Sequence, residues 1–482
     1  MTPTSDSSSH LSFQAPIMPL SNPDRMTALE MRASLSLASI YGLRMLGMFL
    51  ILPIFAIYAS TLPSQPSSSM IGWALGAYGL TQAIFQLPFG MASDKFGRKK
   101  VIYFGLTIFA IGSFVAAYAT SIEMIIVGRA IQGAGAVSAA VTALVADLTR
   151  DEHRTKAMAM IGSTIGVTFA LSLIAGPALN QLIGVPGIFM MTAVLTILAM
   201  LVVKFVVPNP IASSFHSDAQ ASKTSLKLVL KNTQLLRLNF GIFALHAAQM
   251  ALFIVVPFAL KETGHLDVNH HWLVYLPVLV GSFVLMVPAI IYAEKYAKMK
   301  QVFVSAIAVM VVAQLLFAAL IHSFSGIVVS LTAYFVAFNV LEASLPSIIS
   351  KIAPAATKGT AIGVYNTCQS LGVFVGGVVG GYLAHHYSQS AVFIFCSVMM
   401  LLWLIFAMTM QAPLAVKTKM YGIKSPARIA TQSQISALTV QLLAIKGVHE
   451  ATVLVNEAKL VLKIKSGQAW DDEAVYQLIN QS

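Results

Sequence analysis

From residue 36 to residue 411 the chain alternates long apolar runs with short polar breaks. Twelve runs stand out, at 36–60, 70–92, 100–119, 122–146, 157–182, 186–208, 233–260, 270–293, 301–322, 325–350, 358–384 and 389–411. About 20 residues at 1.5 Å each cross a hydrocarbon core of ~30 Å, and every run reaches that length. The pattern predicts an all-α membrane protein with twelve transmembrane helices. The breaks between runs 3 and 4, 5 and 6, 9 and 10, and 11 and 12 are the shortest, so those helix ends are the least sharply marked. Proline and glycine inside several runs fit membrane helices, where neighbouring helices satisfy the backbone groups they free.

The flanks read differently. Residues 1–34 are polar, rich in Ser, Thr and Pro, and lack the apolar stretch of a signal peptide; they predict a disordered cytoplasmic tail. The longest internal break, 209–232, is a Ser/Asp/Gln/Lys-rich linker that follows Pro208 and contains Pro210. It divides the runs into a six-helix bundle at 35–208 and another at 233–412. From 413 to 482 a small α+β domain is predicted. Ile435, Leu438, Leu442 and Ile445 share one helical face. Ala451, Val453 and Val455 alternate like a strand, and so do Leu460, Leu462 and Ile464, with a turn at Asn456-Glu457. Asp471, Asp472 and Glu473 favour a helix start before Val475, Leu478 and Ile479. With 417–424 as a first strand, the order is βαββα, which resembles a ferredoxin-like domain. It has no Cys-x-x-Cys for a soft metal.

Only 10% of the 482 residues are charged and 57% are hydrophobic, against about 25% charged in a soluble domain. The formal charge of +12 reflects loop cations facing an anionic leaflet rather than nucleic acid. With both termini inside, the inner loops hold Lys95, Arg98, Lys99, Lys100, Arg150, Arg154, Lys156, Lys204, Lys223, Lys227, Lys231, Lys295, Lys298, Lys300, Lys351 and Lys358. The outer loops hold Lys261. That asymmetry predicts a multi-pass protein with both termini cytoplasmic; the expected location is the cytoplasmic (inner) membrane of a bacterium. Cys368 and Cys396 both lie in apolar runs, which argues against a disulfide framework or a cysteine metal site.

The break after run 2 concentrates the chemistry: Gly90-Met91-Ala92-Ser93-Asp94-Lys95-Phe96-Gly97-Arg98-Lys99-Lys100. Two glycines permit a tight turn, three adjacent cations mark a cytoplasmic edge, and Asp94 is a lone carboxylate among them. The stretch recurs after run 8 as Tyr292-Ala293-Glu294-Lys295-Tyr296-Ala297-Lys298-Met299-Lys300. Runs 5 and 11 both carry spaced glycines, Gly162, Gly166 and Gly176-Pro177 in one, Gly363, Gly372, Gly376, Gly377, Gly380 and Gly381 in the other. Small residues let helix backbones approach, and internal repeats of this kind build two bundles that rock about a central site.

The pattern Gly-x-x-x-Asp-Lys-x-Gly-Arg-Lys-Lys resembles the loop signature between helices 2 and 3 of the major facilitator superfamily. Arg129-Ala130-Ile131-Gln132-Gly133-Ala134-Gly135-Ala136 resembles the helix 4 signature of the same superfamily. The resemblance implies two six-helix bundles, a role for Arg129 and Gln132 in proton coupling, and a conformational latch of Gly90, Asp94, Gly97, Arg98, Lys99 and Asp147. In that latch Asp147 pairs with Arg98, and Asp94 faces the start of run 11, joining the halves when the site opens outward. Gly133, Gly166, Gly176 and Pro177 are expected to serve helix packing. Gly176-Pro177 resembles part of a drug-antiporter signature, but Ser172 and Asn180-Gln181 depart from it. Arg44, Gly166-Val167-Thr168-Phe169-Ala170-Leu171, Gly363-Val364-Tyr365-Asn366-Thr367 and the βαββα domain together resemble the YajR-type branch of the superfamily.

Charges inside membrane runs are costly and face a cavity or a partner. Arg44, Arg129 and Glu342 qualify, with Glu123 and Asp147 near the ends of run 4. A guanidinium stays charged, so Arg129 can tune a carboxylate or bind an anion but cannot carry the proton. Glu342 and, next, His246 are the titratable candidates. Arg44 and His246 are expected to line the cavity. Static polar contacts between helices are the alternative for each. His270-His271 and His385-His386 sit at outer helix ends. No Gly-Lys pair offers a phosphate loop, and His449-Glu450 lacks the second histidine of a zinc protease, so no enzyme, metal or cofactor is expected. The expected function is a secondary transporter that exports a small molecule in exchange for protons, working as a monomer among membrane lipids. Two alternatives stay open: an importer or uniporter on the same fold, and a non-transporting sensor whose C-terminal domain binds an unknown ligand or partner.

Overall fold

The computed structural model describes residues 26–209, 223–354, 357–412, 416–423, 431–455, 459–465 and 470–480. The first half contains α1 (Ala28–Phe49), α2 (Phe55–Ser60), α3 (Ser68–Phe96), α4 (Arg98–Ala117), α5 (Ile122–Ala134), α6 (Ser138–Leu148) and α7 (Asp151–Phe205). After α8 (Lys223–Lys231) the second half contains α9 (Thr233–Glu262), α10 (Trp272–Lys295), α11 (Met299–Leu320), α12 (Phe324–Ile352), α13 (Lys358–His386) and α14 (Gln389–Met408). Among the described residues nine helical stretches are long and apolar enough to cross a bilayer, and one of them, Lys156–Phe205, has 50 residues, enough for two crossings. Gly184, at φ 66°, divides that stretch before Pro186. The more polar α1–α2 and α3 complete the twelve crossings. α5 and α6 form the fourth crossing, broken at Gly135.

The chain enters the first bundle earlier than its polarity suggests. The tail expected through residue 34 gives way to helix at Ala28, and residues 1–25 lie outside the described set. Thr27 caps this helix and the Glu30 carboxylate reaches back to the Thr27 N–H at 2.7 Å, a reciprocal capping box. Of the linker expected at 209–232, residues 210–222 are outside the described set and 223–231 are helical.

The two bundles meet through α3 and α13, the most extensive helix pair in the molecule. Their seam is made of backbone. A Cβ on Gly72 would lie 2.1 Å from the Gly377 carbonyl oxygen, and one on Gly79 would lie 2.5 Å from that of Ser370. Only glycine allows so close a crossing. Around the seam one apolar core runs through both halves. The first-half residues in it, among them Phe49, Phe55, Ile71 and Phe169, all come from the end remote from the loop cations. At the cation-rich end the first half keeps a separate core, with Leu37, Ile102, Leu144 and Val203. The halves are thus closed on each other at the remote end, where Asn180 also donates to Asn269 Oδ1 at 2.9 Å.

The C-terminal domain has three antiparallel strands in the order β1-β3-β2: β1 (Val416–Gly422), β2 (Val448–Leu454) and β3 (Lys459–Lys465). α15 (Gln432–Leu443) and α16 (Asp472–Asn480) complete βαββα, and the turn expected at Asn456-Glu457 is outside the described residues. Leu460, Leu462 and Ile464 of the central strand pack with Leu438, Leu442, Val475 and Ile479. The alternation points Lys463 away from this core, towards water. Instead Lys463 is buried: Nζ donates to the Lys351 and Ala353 carbonyls at 3.3 and 3.2 Å and pairs with Glu450 at 2.7 Å. It closes the C-terminal end of α12, where a helix presents free carbonyls and partial negative charge. Lys463→Ala is therefore expected to loosen the domain. Charge-assisted bonds worth about 1.5–3 kcal/mol imply roughly tenfold or faster protease cleavage between 413 and 432. Cleavage at the wild-type rate would show that the contact does not hold the domain.

Within the domain Asp472 accepts from Tyr421 at 2.7 Å and from Lys419 at 3.0 Å. Burial would raise its carboxyl, but these two donors outweigh it and hold it below the usual carboxylate value of 3.8. A lowered folded-state pKa gives stability that is present above 3.8 and lost as pH falls below it. Protection of the β1 and α16 amides against hydrogen exchange, taken relative to the intrinsic rate at each pH, should fall as the pH drops through that window, and Asp472→Asn should flatten the response.

Candidate functional site

Three fastenings engage all six first-half crossings at the cation-rich end, in one set of four and one of two. Arg98, at the start of α4, donates Nη1 to Asp94 of α3 and to Ser93 Oγ at 2.8 Å. Its Nε donates to Asp147 Oδ2 of α6 at 3.0 Å. Arg98 thus joins the second, third and fourth crossings, and the Asp147 side chain is fully buried. Lys99 Nζ donates to the Val207 carbonyl at 2.6 Å, just past α7, and adds the sixth crossing. Arg150 binds Glu30 through its backbone N–H and guanidinium at 2.8–3.1 Å, joining the fifth crossing to the first. Gly97 sits at φ 98°, ψ 138°, which an L side chain would strain. The repeat loop of the second half has Ala297 at φ 54° in the equivalent place. Gly90 would bring a Cβ within 3.4 Å of Ala139. The expected Asp147–Arg98 pair is present, and Asp94 engages Arg98 as well.

Above these fastenings, in the membrane interior, lies a second polar group. Arg129 Nη1 donates to Gln132 Oε1 at 3.0 Å, and Gln132 donates to Ser113 Oγ at 2.7 Å. Arg44 Nη1 donates to Ser138 Oγ at 2.9 Å. Both guanidiniums approach the Tyr78 ring, at 5.9 Å for Arg44 and 4.8 Å for Arg129. Arg44 does not line an open cavity as expected: it is buried among first-half helices against Tyr78 and Phe109. Gly133 packs on Tyr78 and Gly176 on Leu50, while Pro177 is buried within α7. Gly166 departs from the packing role. Its α-carbon faces open space on an exposed stretch of α7, so nothing approaches it.

In the second half His246 of α9, Glu342 of α12 and Gln369 of α13 converge. His246 Nδ1 lies 3.2 Å from the Ile242 carbonyl and so donates to it, which leaves Nε2 to accept from Gln369 Nε2 at 2.7 Å. Glu342 Oε2 stands 4.0 Å from the same Nε2, buried and without a hydrogen bond among the described residues. The Glu342 side chain is otherwise 31% exposed. His246 is buried within α9, α12 and α13 rather than lining an open cavity. One to two turns towards the remote end, Phe169 of α7 meets Phe253, Phe335 and Phe338 at centroid distances of 5.8–6.5 Å. These rings form a junction between the halves that screens the ionisable pair from the remote end. Gln369 and Tyr78 are the residues that sequence reasoning passed over. Both are uncharged members of apolar runs, so only their partners reveal them. His271 is buried against the Leu266 carbonyl, and His385 and His386 meet edge to face, their ring centroids 4.7 Å apart.

A family profile described as Major Facilitator Superfamily matches residues 37–372 and 238–435. The chain is 43% identical over 445 residues to the inner membrane transport protein YajR of Escherichia coli (strain K12), covering 92% of this chain and 96% of that one. It is 22% identical to multidrug resistance protein 1 of Bacillus subtilis (strain 168), over 70% of this chain and 86% of that protein. A solved bacterial homolog to the human lysosomal transporter Spinster superposes with a TM-score of 0.65 at 13% identity, over 80% of this chain and 97% of that one. At that identity the likeness speaks for the fold.

Proposed function

We propose, from the premise that this chain belongs to the major facilitator superfamily and is a membrane transporter of small molecules, that it exchanges protons for its substrate and works as an exporter. The observation that carries the reading is the pair of buried His246 and partly exposed Glu342, 4.0 Å apart beside Gln369. Neutral His246 accepts from the Gln369 amide. A proton on Nε2 converts that acceptor into a donor, pairs it with the Glu342 carboxylate and forces the amide to turn its oxygen inward. Gln369 directly precedes Ser370, whose carbonyl lies in the glycine seam against Gly79. Proton occupancy and the contact between halves are therefore linked through one turn of α13.

In this reading the cation-rich end is cytoplasmic, both termini lie there, and the Asp94–Arg98–Asp147 group keeps the first half rigid while acting as a latch when that end closes. An imposed pH gradient across proteoliposomes, with a compound panel and an internal pH dye, tests it. Compound-dependent proton movement is expected, and its complete absence, with the compounds themselves still crossing, would reject proton coupling and leave a uniporter. Resistance lost on deletion supports export, whereas growth that depends on uptake would reverse the direction.

One contact favours a second reading, in which the C-terminal domain senses a ligand. Lys463 closes the end of α12, the helix that carries Glu342. A pure sensor moves no compound in the same vesicles.

A further inference from the structure

The fourth crossing is interrupted inside the membrane. α5 stops at Ala134, and the first hydrogen bond of α6 runs from the Val141 N–H to the Val137 carbonyl at 2.9 Å. The N–H groups of Ser138, Ala139 and Ala140 therefore open the new helix without intrahelical acceptors, and Val137 supplies no side-chain cap. A helix start of this kind carries about half a positive charge. Arg44, only 2% exposed, donates Nη1 to Ser138 at this start, while its Nε and Nη2 have no acceptor among the described residues. Arg129, 1% exposed and two turns before Val137, likewise leaves Nε and Nη2 without an acceptor. The groups these guanidiniums do touch, Ser138, Gln132, Tyr78 and Phe109, are all neutral.

Two fixed cations and a helix start thus share one region of a membrane bundle, and their hydrogen-bond partners include no carboxylate. A buried charge without a counter-ion is costly, and a guanidinium cannot escape by losing its proton. Glu342, the carboxylate at mid-membrane depth in the other half, stands beside His246 instead. We propose that the break in the fourth crossing receives the anionic group of the transported molecule, a carboxylate, phosphate or sulfonate, so that the substrate is a small organic anion. This rests on the transporter reading and names the substrate class for it. In the closed arrangement Tyr78 and Phe109 cover Arg44; when these rings part, the unpaired Arg44 Nε and Nη2 and the N–H groups of the helix start offer donors to two oxygens of such a group, and the Arg129 charge over Tyr78 adds to the field. Interrupted membrane helices that turn a half-helix start towards an anionic substrate group are a physical solution other transporters share.

The test uses the full-length protein in detergent. Thermal unfolding is followed with sodium benzoate, sodium phosphate, benzamide and benzyltrimethylammonium chloride at one ionic strength. Benzoate or phosphate should raise the unfolding temperature saturably, and benzamide and the cation should not. Arg44→Gln should weaken the apparent affinity by about 10- to 100-fold. Should that variant fail to fold, Ser138→Asp keeps the question open to refutation. It sets a permanent carboxylate beside Arg44, and should raise the unfolding temperature in plain buffer and abolish the response to added anion. Equal anion protection in wild type and Ser138→Asp would overturn the site. So would proton movement driven in proteoliposomes by neutral or cationic compounds alone, an outcome that leaves transport standing. Saturable anion protection lost in Ser138→Asp, with no flux of any compound, would keep the site and remove the transport reading.

Discussion

Arg98→Ala is expected to destabilise the folded protein by about 3–5 kcal/mol, the cost of breaking a buried ion pair from one side. The guanidinium is only 6% exposed and serves Asp94, Asp147 and Ser93 at once. Its removal strips two carboxylates of a shared donor at a place where three crossings meet. Arg98→Lys should recover part of the loss, since an ammonium keeps the charge but not the fork that reaches two helices. Asp94→Asn should cost less, because its side chain is 20% exposed and water replaces part of what is lost. Thermal unfolding in detergent gives the order, and cysteine pairs across the cation-rich end, in a background without Cys368 and Cys396, report closure. The double variant Asp94→Asn, Arg98→Ala should lose less than the two single losses together, because both act on one network. An Arg98→Ala protein as stable as wild type would reduce the cluster to a set of topogenic charges.

Glu342→Gln is expected to abolish coupling. Substrate-dependent proton movement should fall at least about tenfold across pH 6 to 8, while expression and substrate binding persist. Glutamine keeps the shape of the side chain but cannot release a proton, so the His246–Glu342 couple loses its carboxylate. His246→Gln should also uncouple, and Gln369→Leu should leave protons bound yet poorly transmitted to α13, which separates the titrating pair from its relay. Unchanged coupling in Glu342→Gln would remove that residue from the mechanism and leave His246 as the candidate.

The apolar runs foretold the membrane helices because a bilayer imposes one length on every crossing, and the repeat loops at Asp94 and Glu294 foretold the two halves. Less visible was anything that depends on who faces whom. The start of the first helix hid because Glu30, Arg32 and Ser34 interrupt its apolar residues, although Thr27-x-x-Glu30 spells a capping box. Glu30 gains a second role because Arg150 lies beside it, 120 residues on. The break at Gly135 lies in a run that reads as one helix, since glycine and alanine alone do not say whether they serve packing or a stop. Lys463 sits on the strand face that alternation assigns to water, and only the neighbouring end of α12 explains its burial. Gln369 carries no charge to draw attention and acquires meaning from His246.

The glycine seam has a mechanical consequence. Where Gly72, Gly76 and Gly79 pass Gly377, Phe374 and Ser370, α3 presents backbone rather than interlocking side chains, so that contact is smooth and placed near one end of a long rod. From Gly76 to the end of α3 the arm measures roughly 30 Å at 1.5 Å per residue. A roll of about 10° at the seam carries the Asp94 end through about 5 Å, the width of a small molecule, while atoms at the crossing move by less than ~1 Å. A bulky residue at Gly72 would jam this bearing at its axle, and it would do so at the opposite end of α3 from Asp94 and Arg98.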